Sequence, residues 1–333
     1  MLRRSLALAV FISVSLAAHG QNERRFSFHY SFTVKDVPAG KQVRVWFPLA
    51  HSDENQEITV LNQEGDLKLA KKEEPEYGNS MLYAKTNKAV QTEYKFAVDY
   101  DVVRREHVVL VNGQPAPGTQ ANTTPQLKLA RYLQPDKLVP TTGLSAQLAA
   151  EQTKSASTQL AKARAIYDYV FSTMRYDKSG TGWGHGDTLW ACDSKRGNCT
   201  DFHSVFMSMA RSQHIPARFE IGFPLPADKH AAEIPGYHCW AEFYNDPIGW
   251  VPIDISEAWK HQEKKDYFFG AHDVNRVQFT MGRDITLSPP QAGPPLNYFI
   301  YPYVEVDGKE YSNVSISFSF RDAGSIPAAA ATN

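Results

Sequence analysis

A cysteine at position 199 stands in a context that could activate a thiol, the run GNCTD at 197–201. Apolar residues follow at helical spacing, so we expect a helix to begin at Cys199 and to end near Gln213. At a helix N-terminus, the macrodipole and the free backbone N–H groups stabilise a thiolate and lower the thiol pKa. The backbone N–H of Cys199 could also donate to the oxyanion that forms when a carbonyl carbon is attacked.

A cysteine nucleophile needs a base, and His238 is the candidate. It belongs to an apolar and aromatic run, 237–244, that predicts a β-strand. An imidazole within reach of the sulfur would hold a thiolate–imidazolium pair and later protonate a leaving amine. His238 is therefore predicted to act as the general acid and base.

Asp254 is the candidate that orients this base. The run NDPIG at 245–249 predicts a turn, and a second strand is expected over 250–255. If the turn is centred at 246, His238 faces Asp254 directly, and if it is centred at 247 the two are diagonal neighbours. In both registers the two side chains point to the same face of the hairpin. A carboxylate there would fix the imidazole tautomer and stabilise its cation.

Three motifs carry a family resemblance: GNCTDF at 197–202, YHCWAEF at 237–243 and GWVPID at 249–254. Their order and spacing resemble those of the transglutaminase-like superfamily, as does the stretch HIPARF at 214–219. The resemblance covers about 155–260. It implies a papain-like α+β core in which the cysteine helix packs against a sheet that carries the histidine and the aspartate. It also implies acyl transfer through a thioester, with Cys199, His238 and Asp254 as the catalytic triad.

The family also implies an oxyanion-stabilising side chain upstream of the cysteine, often Trp or Gln. Trp190 and Trp183 are the candidates in this sequence. The alternative for both is that they pack against the surrounding loop or line a substrate groove.

The first 20 residues resemble a secretory signal peptide. Arg3 and Arg4 precede an apolar run from Leu6 to Leu16, and a small-x-small pattern ends at Gly20. The alternative is a transmembrane anchor, but the apolar run is short for a span of about 20 residues. We therefore predict an exported protein, periplasmic or secreted, with no stable membrane insertion after cleavage.

The rest of the chain predicts an α+β fold, in which an antiparallel β-sandwich precedes the papain-like core. Alternating apolar residues predict strands over 26–34, 43–47, 58–61, 81–84, 94–103 and 107–111. Helical periodicity begins near residue 155, and further strands are expected over 217–223, 276–280, 298–306 and 314–320. The predicted division is a signal peptide (1–20), a β-sandwich domain (21–122), a linker with short helices (123–154), a catalytic domain (155–323) and a flexible tail (324–333).

The chain has three cysteines, and an odd count in an oxidising compartment leaves one thiol unpaired or paired between chains. Cys192 and Cys239 are one candidate disulfide, which the sequence does not establish. The alternative of a zinc site would draw on Cys192, Cys199, Cys239, His203 and His238, but no Cys-x-x-Cys pair supports it. No calcium-binding loop is present, and we expect neither a metal nor a cofactor. His185 is expected to be an exposed loop residue, and Asp187 and Asp201 are expected to cap helices.

The formal net charge of −1 offers no basis for binding nucleic acid. We expect a peptide or protein substrate, and the sequence does not indicate an oligomeric state. The predicted activity is thiol-dependent acyl transfer on amide bonds, with hydrolysis by a cysteine peptidase or amidase preferred over cross-linking. The alternatives are a protein-glutamine transglutaminase and a non-catalytic periplasmic protein that binds a peptide or a glycan.

Overall fold

A computed structural model describes residues 22–119 and 129–324 of the chain. The predicted signal peptide, residues 120–128 at the predicted boundary between sandwich domain and linker, and the tail from residue 325 lie outside the described residues. Within those two ranges, no helix combines the length and the apolar character needed to cross a membrane.

The described strands are β1 Glu23–Val34, β2 Val43–Pro48, β3 Gln56–Gly65, β4 Ala70–Glu73, β5 Ser80–Thr86, β6 Tyr94–Arg105, β7 His107–Val108, β8 Leu110–Val111, β9 Gln114–Pro115, β10 Arg175–Tyr176, β11 Arg196–Gly197, β12 Ala217–Pro224, β13 Ala231–Glu233, β14 His238–Asn245, β15 Gly249–Ile253, β16 Ala271–His272, β17 Arg276–Met281, β18 Tyr303–Val306, β19 Lys309–Glu310 and β20 Val314–Asp322. The α-helices are α1 Leu144–Thr153, α2 Gln159–Thr173, α3 Thr188–Ser194, α4 Cys199–Ser212 and α5 Ile255–Lys260. Two short 3₁₀ helices span Ala130–Leu133 and Gln262–Lys264.

Three larger antiparallel sheets organise these strands. Two have five strands, in the orders β13-β20-β1-β6-β3 and β19-β18-β2-β5-β4, and the third has four, β15-β14-β12-β17. All five α-helices lie between residues 144 and 260, in the part of the chain that also forms three of the four strands of the four-stranded sheet, β12, β14 and β15. The predicted α+β fold class is confirmed.

The two five-stranded sheets form the β-sandwich, and alternation along β1 shows why. Every second side chain from Phe26 to Val34 is buried, as expected of a strand with one face on the core. From the facing sheet, Phe47 lies 5.0 Å from Phe32 and 6.3 Å from Tyr30 between ring centroids. Apolar burial at such aromatic pairs stabilises the packing of the two sheets.

The strand pairing does not follow the predicted division of the chain. The sequence predicts that residues 303–322 belong to the catalytic domain, but β20 pairs with β1 and β18 pairs with β2. Phe318 explains the pairing, because its ring lies 4.7 Å from that of Tyr30 in the sandwich core. The chain thus leaves the sandwich, forms the four-stranded sheet with its helices, and returns to complete both sandwich sheets.

Helix α4 lies at the centre of the papain-like core. Almost all of its residues are buried, from Cys199 to Arg211. It packs on β14, where the rings of Phe206 and Phe243 lie 6.1 Å apart. The four-stranded sheet in turn contacts the sandwich through Phe223, which lies 5.2 Å from Phe28. One continuous apolar core therefore fixes α4, its sheet and the sandwich relative to one another.

Candidate active site

Helix α4 begins at Cys199, as the sequence predicts, and a pair of reciprocal capping hydrogen bonds stabilises its first turn. Asn198 is the N-cap, and its side-chain oxygen accepts from the backbone N–H of Thr200 at 2.9 Å. The carboxylate of Asp201 accepts from the backbone N–H of Asn198 at 2.9 Å, which completes a capping box. These bonds hold the thiol-bearing residue at the position where the helix N–H groups have no acceptor within the helix.

The same carboxylate ties the glycine-rich loop to the helix. Asp201 also accepts from the N–H of Gly184 at 2.7 Å and from the N–H of Gly186 at 2.9 Å. Gly197 permits this arrangement, since a Cβ added there would lie 2.2 Å from the Asp201 carboxylate. The predicted capping role of Asp201 is confirmed, and so is that of Asp187, whose side chain caps α3. His185, in the same loop, is exposed as expected.

The hairpin β14–β15 brings His238 and Asp254 together. Ala241 pairs with Ile253, so the turn is centred at 247 and the diagonal register is the one observed. His238 begins β14, and Asp254 follows β15 directly as the N-cap of α5. Nε2 of His238 lies 2.7 Å from Oδ2 of Asp254. The other ring nitrogen, Nδ1, is therefore left for the thiol of Cys199, whose interaction with the imidazole raises the pKa of His238.

Arg276, on β17, is a member of this site that sequence reasoning missed. Its Nη1 donates to Oδ2 of Asp254 at 3.0 Å, and the guanidinium lies 4.8 Å from the ring centre of Trp240. The other carboxylate oxygen of Asp254 accepts from the hydroxyl of Ser256 and from the N–H of Glu257, both at 3.0 Å. Asp254 is fully buried, and these donors together satisfy its charge.

The three side chains of the candidate triad shift one another's ionisation. Burial opposes a charged thiol, but hydrogen bonds from Cys239 and His238 and the imidazolium charge hold the pKa of Cys199 well below its ordinary value. Burial also lowers the pKa of His238, but Asp254 and the Cys199 thiolate raise it to about 10. His238 and Arg276 hold the pKa of Asp254 well below its usual range against the effect of burial. At neutral pH the site therefore holds a thiolate, an imidazolium and a carboxylate.

Tyrosine side chains surround this thiolate, and only 2% of the Cys199 surface is exposed. The hydroxyl of Tyr237 accepts from the Asn198 amide at 3.1 Å and lies 2.9 Å from the hydroxyl of Thr200. Burial and the thiolate charge raise the pKa of Tyr237 above its usual range. Tyr298 lies against Tyr237, with ring centroids 5.4 Å apart. The phenols thus remain neutral and form a polar, hydrogen-bonding wall beside the sulfur.

Trp183 and Trp190, the candidates for donating a hydrogen bond to the oxyanion, have different surroundings. The indole N–H of Trp183 donates to the carbonyl of Gly180 at 3.1 Å, so its donor is engaged within its own loop. The indole of Trp190 packs against Gly182 and under the guanidinium of Arg196. Neither contact assigns an oxyanion role, and that part of the prediction remains a prediction.

All three cysteines are free thiols in the structure. The thiol of Cys239 contacts Cys199 and donates to the hydroxyl of Thr200 at 3.6 Å, so the suggested pair with Cys192 is not formed. His203, considered above as a zinc ligand, accepts from the N–H of Ile255 at 3.1 Å. Within the described residues, the grouping of ligand-type side chains close enough for a metal ion is a different one: His107, Glu242 and His272.

Comparison with known proteins agrees with this geometry. Residues 146–255, which include Cys199, His238 and Asp254, match the family model of the transglutaminase-like superfamily. An uncharacterized protein of Haemophilus influenzae is 30% identical to this chain, over 92% of the chain and 95% of the relative. The chain belongs to the transglutaminase-like superfamily.

Solved structures of other proteins resemble this superfamily member to different degrees. A candidate cysteine protease from Cytophaga hutchinsonii superposes with a TM-score of 0.60 at 15% identity, over 92% of each chain. At that identity the similarity establishes the fold alone. The periplasmic domain of TgpA from Pseudomonas aeruginosa gives a TM-score of 0.38 at 14% identity, over 73% of this chain and 91% of the domain.

Proposed function

We propose that this protein is an exported enzyme that transfers acyl groups from amide bonds through a thioester on Cys199, with water as the preferred acceptor. The observation that carries the proposal is the chain of contacts from the Cys199 thiol to His238 and from His238 to Asp254. Buried, paired charges of this kind are what nucleophilic catalysis by a thiol requires. Export rests on the signal-like residues 1–20.

In the first half-reaction, the Cys199 thiolate attacks the amide carbonyl carbon and forms a tetrahedral oxyanion. The backbone N–H of Cys199 is positioned at the helix start to donate to that oxygen. The C–N bond then breaks as Nδ1–H of His238 gives its proton to the departing amine. The products are a free amine and an acyl-Cys199 thioester, with a neutral His238 held by Asp254.

In the second half-reaction, the neutral Nδ1 of His238 takes a proton from water as the water attacks the thioester. The C–S bond breaks, a carboxylic acid leaves, and the thiolate–imidazolium pair is restored. A primary amine in place of water would yield a new amide, which is cross-linking. We prefer hydrolysis, and the description of the Cytophaga hutchinsonii neighbour as a candidate cysteine protease supports that choice.

The acceptor can be identified directly. A random peptide library is incubated with the protein in H₂¹⁸O, with and without a primary amine, and the products are analysed by mass spectrometry. The proposal predicts ¹⁸O in newly formed carboxyl groups and no product with the Cys199→Ala variant. Amine adducts in place of ¹⁸O would reassign the protein to cross-linking. The absence of both products with the wild-type protein would contradict acyl transfer on peptides.

A further inference from the structure

A second polar site lies in a cavity of about 790 Å³ that none of the triad residues lines. Its wall combines residues of the four-stranded sheet, such as Glu220 and Glu242, with Arg104 at the end of the sandwich strand β6 and with residues 107–109 that follow this strand. Two polar atoms of the wall, Nδ1 of His51 and Nε of Arg104, make neither a hydrogen bond nor an ion pair within the described residues. Arg104 is itself 2% exposed, so the cavity contains buried polar groups that the protein alone does not satisfy.

Three ligand-type side chains converge in this cavity from three different strands. His107 on β7 and His272 on β16 are directly paired residues of a short two-stranded sheet. Glu242 comes from the middle of β14. One ligand atom from each of these side chains lies within 4.8 Å of the other two. Two imidazoles and one carboxylate are a frequent set of protein ligands for zinc.

The distance between two of the three ligand atoms matches the distance expected between ligands of a tetrahedral zinc ion. Ligand atoms about 2.0–2.1 Å from a tetrahedral zinc ion lie about 3.4 Å from one another. Nδ1 of His107 lies 3.4 Å from Oε1 of Glu242, which is too long for a strong hydrogen bond and correct for two ligands of one ion. The third ligand atom, on His272, lies within 4.8 Å of these two.

One ring nitrogen of His272 and one oxygen of Glu242 already have partners in the protein. Nε2 of His272 lies 3.1 Å from the carbonyl oxygen of Ile253, so this nitrogen carries the proton and Nδ1 keeps a free lone pair. The second oxygen of Glu242, Oε2, lies 2.5 Å from Nη2 of Arg218. Metal-bound histidines and carboxylates are typically oriented by such partners, which fix the tautomer and the side-chain rotamer.

We propose that His107, Glu242 and His272 bind one Zn²⁺ ion, with the fourth coordination position open to the cavity. The guanidinium groups of Arg104 and Arg218 in the same wall favour an anionic group at that position. The ion would join β7, which follows the sandwich strand β6 in the chain, to Glu242 of the four-stranded sheet. Its ligand His272 also contacts the carbonyl oxygen of Ile253, which is the residue before Asp254 in the chain.

Zinc binding is tested on the purified full-length protein after treatment with a chelator and dialysis. Metal content is measured by mass spectrometry, and the affinity for Zn²⁺ is measured by competition with a chromophoric chelator. The variants are Glu242→Gln and His107→Gln, which remove ligands. The matched control is Glu220→Gln, because Glu220 is a buried carboxylate of the same cavity that is not part of the ligand group.

We expect one Zn²⁺ per wild-type chain and an affinity at least about 100-fold weaker in both ligand variants, with Glu220→Gln unchanged. Zn²⁺ should raise the melting temperature of the wild type and of Glu220→Gln but not that of Glu242→Gln. Co²⁺ should give the visible absorption of a tetrahedral site in the wild-type protein, which tests the proposal even if a variant fails to fold. The absence of that spectrum, or an equal loss of affinity in Glu220→Gln, would overturn the proposal.

Discussion

The candidate triad and the polar cavity lie a few residues apart on the same strand, but they treat buried charge in different ways. His238 belongs to the triad and Glu242 to the cavity, and Trp240 separates them on the same side of β14. In the triad, the Asp254 carboxylate receives hydrogen bonds from an imidazole, a guanidinium, a hydroxyl and a backbone N–H. In the cavity, the buried Arg104 makes one long contact, 3.5 Å to Gln56, and its Nε makes none.

This difference indicates which site is complete without a ligand. A buried charge is costly unless it is paired and hydrogen-bonded, and a fully satisfied network holds its members in one geometry. The Asp254 carboxylate of the triad is satisfied by protein groups alone, so the triad holds its geometry without a ligand. The cavity leaves polar groups unsatisfied, which is expected where an ion or a polar molecule belongs to the functional state.

The largest expected effect is on activity and follows from removing the triad base. His238→Ala should lower the rate of acyl transfer by about 10²–10⁴-fold, because it removes both the proton donor and the thiolate's counter-ion. The rate is measured on any peptide cleaved in the ¹⁸O experiment. His185→Ala is the matched control, since that histidine is exposed in the nearby loop, and equal losses in both variants would argue against the assigned base.

Replacing a buried arginine in each site, Arg276 beside the triad and Arg104 in the cavity, tests whether the two sites differ in what they contribute to the free energy of unfolding. Arg276→Met should lower the free energy of unfolding by about 3–5 kcal/mol, because it leaves the buried Asp254 carboxylate short of its cationic partner. Chemical denaturation monitored by tryptophan fluorescence measures the change. A loss below about 1 kcal/mol would show that Asp254 does not depend on this partner.

Arg104→Met is the matched change in the cavity, and the opposite sign is expected. Burial lowers the pKa of Arg104, and no carboxylate among residues 22–119 and 129–324 accepts a hydrogen bond from it. Replacing a poorly paired buried charge with an apolar side chain of similar length should leave stability unchanged or raise it by about 1–2 kcal/mol. The same denaturation experiment, without added metal, decides this. A loss as large as that of Arg276→Met would remove the distinction between the two sites.

The smallest effect is expected at the tyrosine wall. Tyr237→Phe removes a hydroxyl that bonds to Asn198 and Thr200 beside the thiol, and the phenyl ring retains its packing. We expect a loss of about 1 kcal/mol in stability and little change in the alkylation rate of Cys199. A large change in alkylation, measured by mass spectrometry, would indicate that the phenol acts directly on the sulfur.

Local patterns in the sequence were sufficient to predict the parts of the site that depend on one element. The helix start at Cys199 follows from the run 197–201, and the shared face of His238 and Asp254 follows from strand period and turn position. The structure agrees with both geometries. The catalytic roles of these residues stay predictions until activity is measured.

Features that depend on contacts distant in sequence could not be predicted in this way. Arg276 reaches Asp254 only because β17 pairs with β12, and nothing in its local sequence indicates that neighbour. His107 and Glu242 are 135 positions apart, and their approach depends on how the sandwich packs on the four-stranded sheet. The return of β18 and β20 to the sandwich likewise depends on which apolar faces match, a property of the assembled core.

The pH dependence of Cys199 alkylation by iodoacetamide tests the proposed thiolate–imidazolium pair most directly. The lowered pKa of Cys199 keeps the thiolate present below pH 8.5, and the raised pKa of His238 keeps the imidazolium present up to about pH 10. The wild type should therefore alkylate rapidly and at a nearly constant rate from pH 6 to pH 9. In His238→Ala the rate at pH 6 should fall at least about 100-fold, since a thiol with an ordinary or higher pKa is almost fully protonated there. Wild-type alkylation that rises only near pH 8.5, unchanged in His238→Ala and in Asp254→Ala, would contradict the proposed triad.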